Sequence, residues 1–350
     1  MRVLVIPADV HGCGHYRLIY FAEHLQGLGH DIVIQWPKGK DSGLQIKVRD
    51  DTPVDVEIPL GADVIVLQRV SHRWHSQVIS LLREKGVAVV IDMDDDLTCI
   101  HRSNIAYLNY HPRSNTPYSW KNAEVACKAA TLVTLSTQTL VQVYGYGHGH
   151  VIDNYIPERH LDTGHEQDPV WGWPGTTASH PGDLQTMGRA GQDLIDAGYP
   201  MRVVGPPSKV KEALRLREHP EYTGIVPGAD WINAMSRLSV VVAPLENSRF
   251  NSGKSRLKVL EASAGGRPWV ASPRTEYRRF HKESGAGLLA DSSKDWFKAV
   301  KQLMDDETMR KELGERGREY VRTQTIEANS WRALEAWERA YNMQRGKETA

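Results

Sequence analysis

Short runs of β-branched and other apolar residues alternate along the whole chain with amphipathic stretches of helical period, and this alternation limits the possible folds more than any other feature. RVLVI (2–6), DIVIQW (31–36), ADVIVLQRV (62–70), VAVVIDM (87–93), TLVTLS (131–136) and HVIDNYI (150–156) read as strands. LIYFAEHLQGLGH, HSQVISLLREKG, WKNAEVACKAA and TQTLVQVYG lie between them as helices. Several of the strands are apolar on both faces, the pattern of parallel sheets covered by helices on each side. After 156–170, a stretch of proline, glycine and charge without periodicity, a second set begins with VWGWPG (170–175). It continues through a helix over 180–198, the strand PMRVVG, SKVKEALRLREH, WINAMSRL, the strand SVVVAPL, a helix over 254–266 and the strand RPWVAS.

The expected fold class is therefore α/β, with two Rossmann-like doubly wound domains facing across a cleft. The expected boundaries are 1–155 for the first domain, 156–170 for a linker, 171–325 for the second domain and 326–350 for a closing helix. A chain of 350 residues suffices for two such cores. A formal net charge of zero excludes a globally basic nucleic-acid binder but leaves local patches open. Three cysteines without paired spacing point to a reduced, cytoplasmic setting and to no zinc site. The first apolar run is about five residues, too short for a signal-peptide core, and no window reaches the ~18 residues of a membrane span.

Two segments carry candidate chemistry. In GVAVVIDMDDDLTCIH (86–101) a buried strand ends in four carboxylates, Asp92, Asp94, Asp95 and Asp96. Such a tip could hold a divalent cation, act in a phosphatase, orient an acceptor hydroxyl or serve a structural end. A phosphatase would place Asp-x-Asp-x-Thr near the N-terminus, whereas here Thr98 follows Asp94 by four positions. The second segment is VVVAPLENSRFNSGKSRLKVLEASAGGRPWVAS (240–272), a strand, a polar loop and a helix expected to open at about Gly253–Lys254–Ser255. Unpaired N–H groups and the positive dipole end at such a helix tip suit a phosphate, with Lys254 and Ser255 adding charge and a hydroxyl. Lys258 and Glu261 share the helical face of Lys254, which puts a carboxylate within reach of ribose hydroxyls.

At these residues the sequence resembles the GT-B glycosyltransferases, specifically the family-4-like group and its compact single-chain forms of phage type. The resemblance also takes in GCGHYRLIYFAEHLQGLGHDI, VVIDMDDDL, LVTLSTQTLVQVYG and WGWPGTTASHPGDL. It implies a second domain that binds a nucleotide sugar, UDP- or GDP-linked, a first domain that binds the acceptor, and a final helix that crosses back. Glu261 matches the second Glu of the family's Glu-x7-Glu motif, while the first would fall at Gly253. The usual Arg and Lys of the diphosphate site are replaced, after VWGWPG, by Ser179 and His180. The resemblance thus implies donor contacts from Gly12, Gly14, Ser179, Lys254, Ser255, Lys258 and Glu261. Lys254, His180, Asp94 and His101 are the catalytic candidates, with no metal and no cofactor beyond the co-substrate. Transfer with retention is expected, as in most of that group.

Acceptor contacts are expected from Arg17, Arg69, Arg73, Asp94, Asp95, Arg102 and Trp74. Arginines for phosphate interleaved with aromatic rings for stacking suit DNA with an extruded base. A 5-hydroxymethylated pyrimidine is the favoured acceptor. A saccharide is the alternative, and a sugar-nucleotide-binding module without transfer activity is the alternative of another class. No membrane and no obligate protein partner is expected.

Overall fold

A computed structural model describes residues 1–36, 43–114, 118–161 and 167–347. The first domain is a six-stranded parallel sheet. Its members are β1 (Val3–Ile6), β2 (Ile32–Ile34), β5 (Val64–Gln68), β6 (Ala88–Met93), β7 (Leu132–Leu135) and β8 (Gly149–Val151), in the order β2-β1-β5-β6-β7-β8. A separate antiparallel hairpin, β3 (Ile46–Arg49) and β4 (Thr52–Val56), packs beside the helix Arg73–Glu84. Sequence periodicity does not reveal this hairpin, because its strands are four and five residues long, the alternation breaks in β4 and the register shifts between Lys47 and Val48. β1, β5 and β6 are buried at every position, which only a central strand with covered faces tolerates.

The second domain repeats the plan with β9 (Asp168–Pro174), β10 (Met201–Val204), β11 (Glu221–Tyr222), β12 (Leu238–Ala243), β13 (Trp269–Ala271) and β14 (Leu288–Leu289). All pair in parallel, in the order β11-β10-β9-β12-β13-β14. Gly172 is needed in the centre of β9, because a Cβ there would lie 2.4 Å from the Arg202 carbonyl oxygen. In each sheet the strand order reverses once, between β1 and β5 and between β9 and β12. Crevices form beyond the carboxyl ends of strands at such points, and the two crevices face each other.

The chain crosses between domains twice, at Ile156 and at Thr325, and the two crossings are bridged: Ile156 N donates to Gln324 O and Ile326 N to Ile156 O. The last helix, Trp331–Gln344, then lies on the first sheet. Ala333, Ala336, Trp337 and Ala340 join the core built by Val3, Val5, Phe21 and Leu25. Trp337 is buried there, whereas Trp331 is exposed. Of the segment 156–170, residues 162–166 lie outside the described residues, and Glu158–His160 forms one 3-10 turn.

Three helices differ from the sequence expectation. In the first, the stretch 208–219, only Val210–Leu214 is helical before Arg215 turns left-handed. The stretch 180–198 is split into the turn Leu184–Met187 and the helix Ala190–Asp196, because Gly182 and Gly188 adopt left-handed φ of 88° and 59°. The helix expected at Gly253 opens instead at Leu257 and runs to Ala264. A separate turn, Arg249–Ser252, precedes it, capped by Ser248 Oγ accepting from Asn251 N. Lys254 and Ser255 therefore sit in the bend ahead of the helix rather than in its first turn. No helix of the described residues is long and apolar enough to cross a membrane.

Candidate active site

A cavity of about 730 Å³ lies between the two sets of strand ends. Its first-domain wall starts with the loop after β1. Asp9 organises that loop: its Oδ1 accepts from His11 N at 2.9 Å and Gly14 N at 3.1 Å, and its Oδ2 meets Arg69 at 3.0 Å. A helical segment then begins at Gly12. A Cβ on Gly14 would sit 1.8 Å from the Asp9 carbonyl oxygen, whereas Gly12 has open space around it. Gly14 is thus required by the chain's own packing, and Gly12 is the position where backbone is open to the cavity. Gly14→Ala is expected to destabilise the first domain by about 1–3 kcal/mol through forced backbone movement, and Gly12→Ala to leave stability unchanged. Thermal unfolding of the two variants checks this.

The acidic strand tip is charge-matched carboxylate by carboxylate. Asp92 receives Arg17 in a two-pronged pair, Nε to Oδ1 at 3.1 Å and an Nη to Oδ2 at 2.8 Å, and also accepts from Thr134 Oγ1. Asp94 pairs with Arg69 at 3.0 Å. Asp95 and Asp96 reach across to the second domain, to Lys254 at 2.7 Å and Arg249 at 3.2 Å. Burial acts to raise the Asp94 carboxyl, but Arg69, Arg17 and Lys254 outweigh it and hold it below the ordinary carboxylate range. Among the described residues no three His, Cys, Asp or Glu side chains are grouped to hold a metal ion.

The second-domain wall carries Lys254, Ser255, Lys258, Glu261 and His180, which the structure brings to one cavity. Burial would discharge Lys254, but Asp95 more than compensates and keeps it firmly protonated. Its Nζ lies over the Phe250 ring, 4.5 Å from the centroid. Ser255 Oγ accepts from Asn154 Nδ2 at 2.9 Å, which leaves the hydroxyl proton free to donate. Lys258 donates to the Pro174 carbonyl and lies over Trp173, and burial lowers its pKa. Glu261 accepts from Trp231 Nε1 at 3.2 Å and is hydrogen-bonded to Tyr16 of the first domain; burial raises its pKa.

His180 departs from the role expected of it as a second phosphate donor. Its Nδ1 faces Asp183 Oδ2 at 3.1 Å, and burial, aided by Lys258 and Lys254, drops its pKa to about 4. A neutral ring whose one proton is on Nδ1 offers the cavity a lone pair, not an N–H. Further expectations need correction. Arg17 is 3% exposed and its donors go to Asp92, to the Ile152 carbonyl and to Asn154 Oδ1, so it supports the wall without reaching an acceptor. Arg69 is held between Asp9 and Asp94. Arg73 pairs with Asp51 by the hairpin, Trp74 packs edge-on to His72, and neither lines the cavity. His101 and Arg102 are exposed outside the cavity lining, with His101 Nδ1 accepting from Ser103 N. The Ser179 carbonyl accepts from Asn104 Nδ2 at 2.9 Å, a contact between domains, and its side chain is absent from the lining.

Sequence reasoning missed Asp9, Asn154 and Asp183, and it placed Tyr16 among the acceptor-side aromatics without its bond to Glu261. Asp9, three residues beyond the end of β1 and within the glycine loop, carried a readable signal as a loop-capping carboxylate. Asp183, three residues after His180, carried one too. Asn154 had none, since its function is to link Arg17 to Ser255 across the domains.

Residues 185–336 match a protein family described as glycosyl transferase-like. A search of curated proteins returns no match. Among solved structures the chain is similar to a glycosyltransferase from Rickettsia africae, at 13% identity and TM-score 0.60, covering 99% of this chain and 98% of that one. It is similar to sucrose-phosphate synthase from Thermosynechococcus elongatus, at 12% identity and TM-score 0.63, covering 96% and 98%. HepE of Anabaena in complex with UDP-glucose gives 12% identity and TM-score 0.62, covering 96% and 100%. At these identities the likeness is one of fold.

Proposed function

From a chain with the GT-B fold whose residues 185–336 form a glycosyltransferase domain, we propose that the cleft transfers a sugar from a nucleotide sugar to a hydroxyl acceptor without a metal ion. The observation that carries this reading is Lys254, a partly buried ammonium at the second sheet's switch point whose ion-pair partner, Asp95, comes from the opposite domain. A diphosphate entering the cleft can take the place of Asp95. UDP-glucose bound to HepE supports a donor of this class.

In the proposed reaction the bond from the sugar's anomeric carbon to the diphosphate oxygen breaks, and the acceptor oxygen bonds to that carbon on the same face. The acceptor proton passes to the departing phosphate oxygen, so no strong protein base is required. Negative charge grows on the diphosphate as the bond breaks. Lys254, the Ser255 hydroxyl and the open backbone at Gly12 are the groups placed to stabilise it. Glu261 stands seven residues beyond Lys254 on the same wall, where it suits the ribose. Asp94, fixed by Arg69, is the acceptor-side carboxylate that can orient a hydroxyl.

Since Asp95 and a diphosphate compete for one ammonium, Asp95→Asn is expected to tighten nucleoside diphosphate binding by about three- to tenfold, or ~0.7–1.4 kcal/mol. Calorimetric titration measures this, and weaker binding by the variant would contradict the competition.

For the acceptor we favour a 5-hydroxymethylated pyrimidine in DNA, handled in the cytoplasm. Arg102, Arg113 and Tyr118 are exposed on the first domain outside the cavity lining, the residue types that contacts to DNA flanking the reacting base need. A saccharide acceptor is the second reading, favoured by the capture of Arg17, Arg69 and Arg73 in ion pairs. The test presents a pool of nucleotide sugars, with EDTA, to duplexes carrying cytosine, thymine or their 5-hydroxymethyl forms and to oligosaccharides. One sugar's mass gained on a hydroxymethyl base alone is the expected result. Gain on an oligosaccharide instead selects the second reading, and gain on neither overturns both.

A further inference from the structure

Asp183 is a buried carboxylate that the transfer chemistry above leaves without a task. Its side chain is 2% exposed. Oδ1 accepts from Glu246 N at 2.9 Å and from Asn251 Nδ2 at 2.7 Å, which ties the loop after β12 to the loop after β9. Oδ2 faces His180 Nδ1 at 3.1 Å. These are the two loops that flank the switch point of the second sheet, so the carboxylate sets the shape of the donor wall itself.

The protonation state follows from the partners. Burial alone would favour the neutral acid, but the bonds from His180, Glu246 and Asn251 outweigh it and hold Asp183 below the ordinary carboxylate range. An ionised carboxylate can only accept, so Nδ1 carries the imidazole proton. Asp183 favours the charged ring, but burial, aided by the charges of Lys258 and Lys254, outweighs it and keeps the ring neutral at physiological pH. Nε2 is then a bare lone pair on a residue that lines the cavity beside two ammonium groups.

We infer that Asp183 is a positioning residue that locks His180 in the Nδ1–H form, so that Nε2 accepts a hydrogen bond from a hydroxyl of the sugar carried by the bound donor. A fully ionised diphosphate has no proton to give this nitrogen, while a sugar hydroxyl does. The contact therefore recognises the sugar half of the donor, and the lysines beside it recognise the diphosphate half. This assignment rests on the nucleotide-sugar reading.

The experiment is a nitrogen-15 spectrum of the histidine rings in the full chain between pH 5.5 and 8, with and without UDP or UDP-glucose, alongside calorimetry. His180 is expected to show the neutral Nδ1–H form throughout, with its Nε2 signal moved by UDP-glucose and not by UDP. In Asp183→Asn the amide can donate to Nδ1, and the ring proton moves to Nε2. UDP-glucose binding is then expected to weaken about tenfold with UDP binding unchanged. His180→Phe, which keeps the other two bonds of Asp183, is expected to give the same split between the two ligands should the Asn variant fail to fold. An Nε2–H or doubly protonated ring at pH 7, or equal weakening for UDP and UDP-glucose in the variants, would overturn the inference. A wild-type chain that binds neither ligand would defeat the donor reading and the sugar contact with it. The ring spectrum would still decide the role of Asp183.

Discussion

Replacing Lys254 with methionine is expected to lower the turnover of sugar transfer by about 10²–10³-fold, the cost of removing one preorganised donor to a developing oxyanion. Methionine is unbranched and close to lysine in length, so it fills the same space and removes the charge together with the contact of Nζ over Phe250. The effect falls on turnover more than on donor affinity, because binding merely exchanges one anionic partner of the lysine for another. Charge accumulates on the leaving diphosphate only as the bond breaks. The substitution also strands Asp95 without its cation, which invites a trivial explanation by misfolding. The double variant Lys254→Met, Asp95→Asn separates the two. It is expected to recover the stability of the native chain and to remain as inactive as the single variant, which steady-state kinetics and thermal unfolding together would establish.

The second large effect is structural. Asp92→Asn is expected to destabilise the first domain by about 3–5 kcal/mol, because it breaks a buried ion pair and leaves Arg17 charged without compensation. That corresponds to a fall in melting temperature on the order of 10 °C. Both side chains of the pair are 1% exposed, so neither water nor salt can replace the lost partner. The damage extends to the cleft. Arg17 holds Asn154, and Asn154 holds Ser255, so the donor wall is tied to the acidic strand through three side chains. Replacing Arg17 and Asp92 together by Met and Leu is expected to cost less stability than either single change, since no charge is then left buried. Denaturant titration of the three variants measures the difference. Asp92 is a keystone of the wall, and this also removes it from the nucleophile's place that a phosphatase would give it.

The strands of both sheets were readable because a buried parallel strand has no polar alternation to disguise it; VIVLQ and AVVIDM can hardly be anything else. The approximate position of the site was readable for the same reason, since loops at strand ends follow once strands are known. The partners of the acidic tip were not readable. Asp92 finds Arg17 at a separation of 75 residues and Asp95 finds Lys254 at 159, and no local pattern records such distances. Hence the arginines of the first domain read as free cations for an acceptor, when three of them are already matched to carboxylates. The start of the helix at Leu257 was missed for a different reason. A capped turn at 248–252 leads into a bend at 253–256, and no proline there marks the break between the two helical pieces. His180 shows the limit most clearly: its residue type suggested a proton donor, and only its hydrogen-bond partner reveals an acceptor.

The claim on which the rest depends is that the cleft is a metal-free nucleotide-sugar site built on Lys254. Calorimetric titration of UDP-glucose and a GDP-linked sugar into the native chain and into Lys254→Met, in EDTA and again with magnesium, addresses it directly. The account predicts that the native chain binds at least one of these donors in EDTA, that magnesium does not strengthen the binding, and that Lys254→Met still binds that donor, its loss falling on turnover in a parallel transfer assay. Binding that requires magnesium, or no binding of either donor by the native chain, would contradict it.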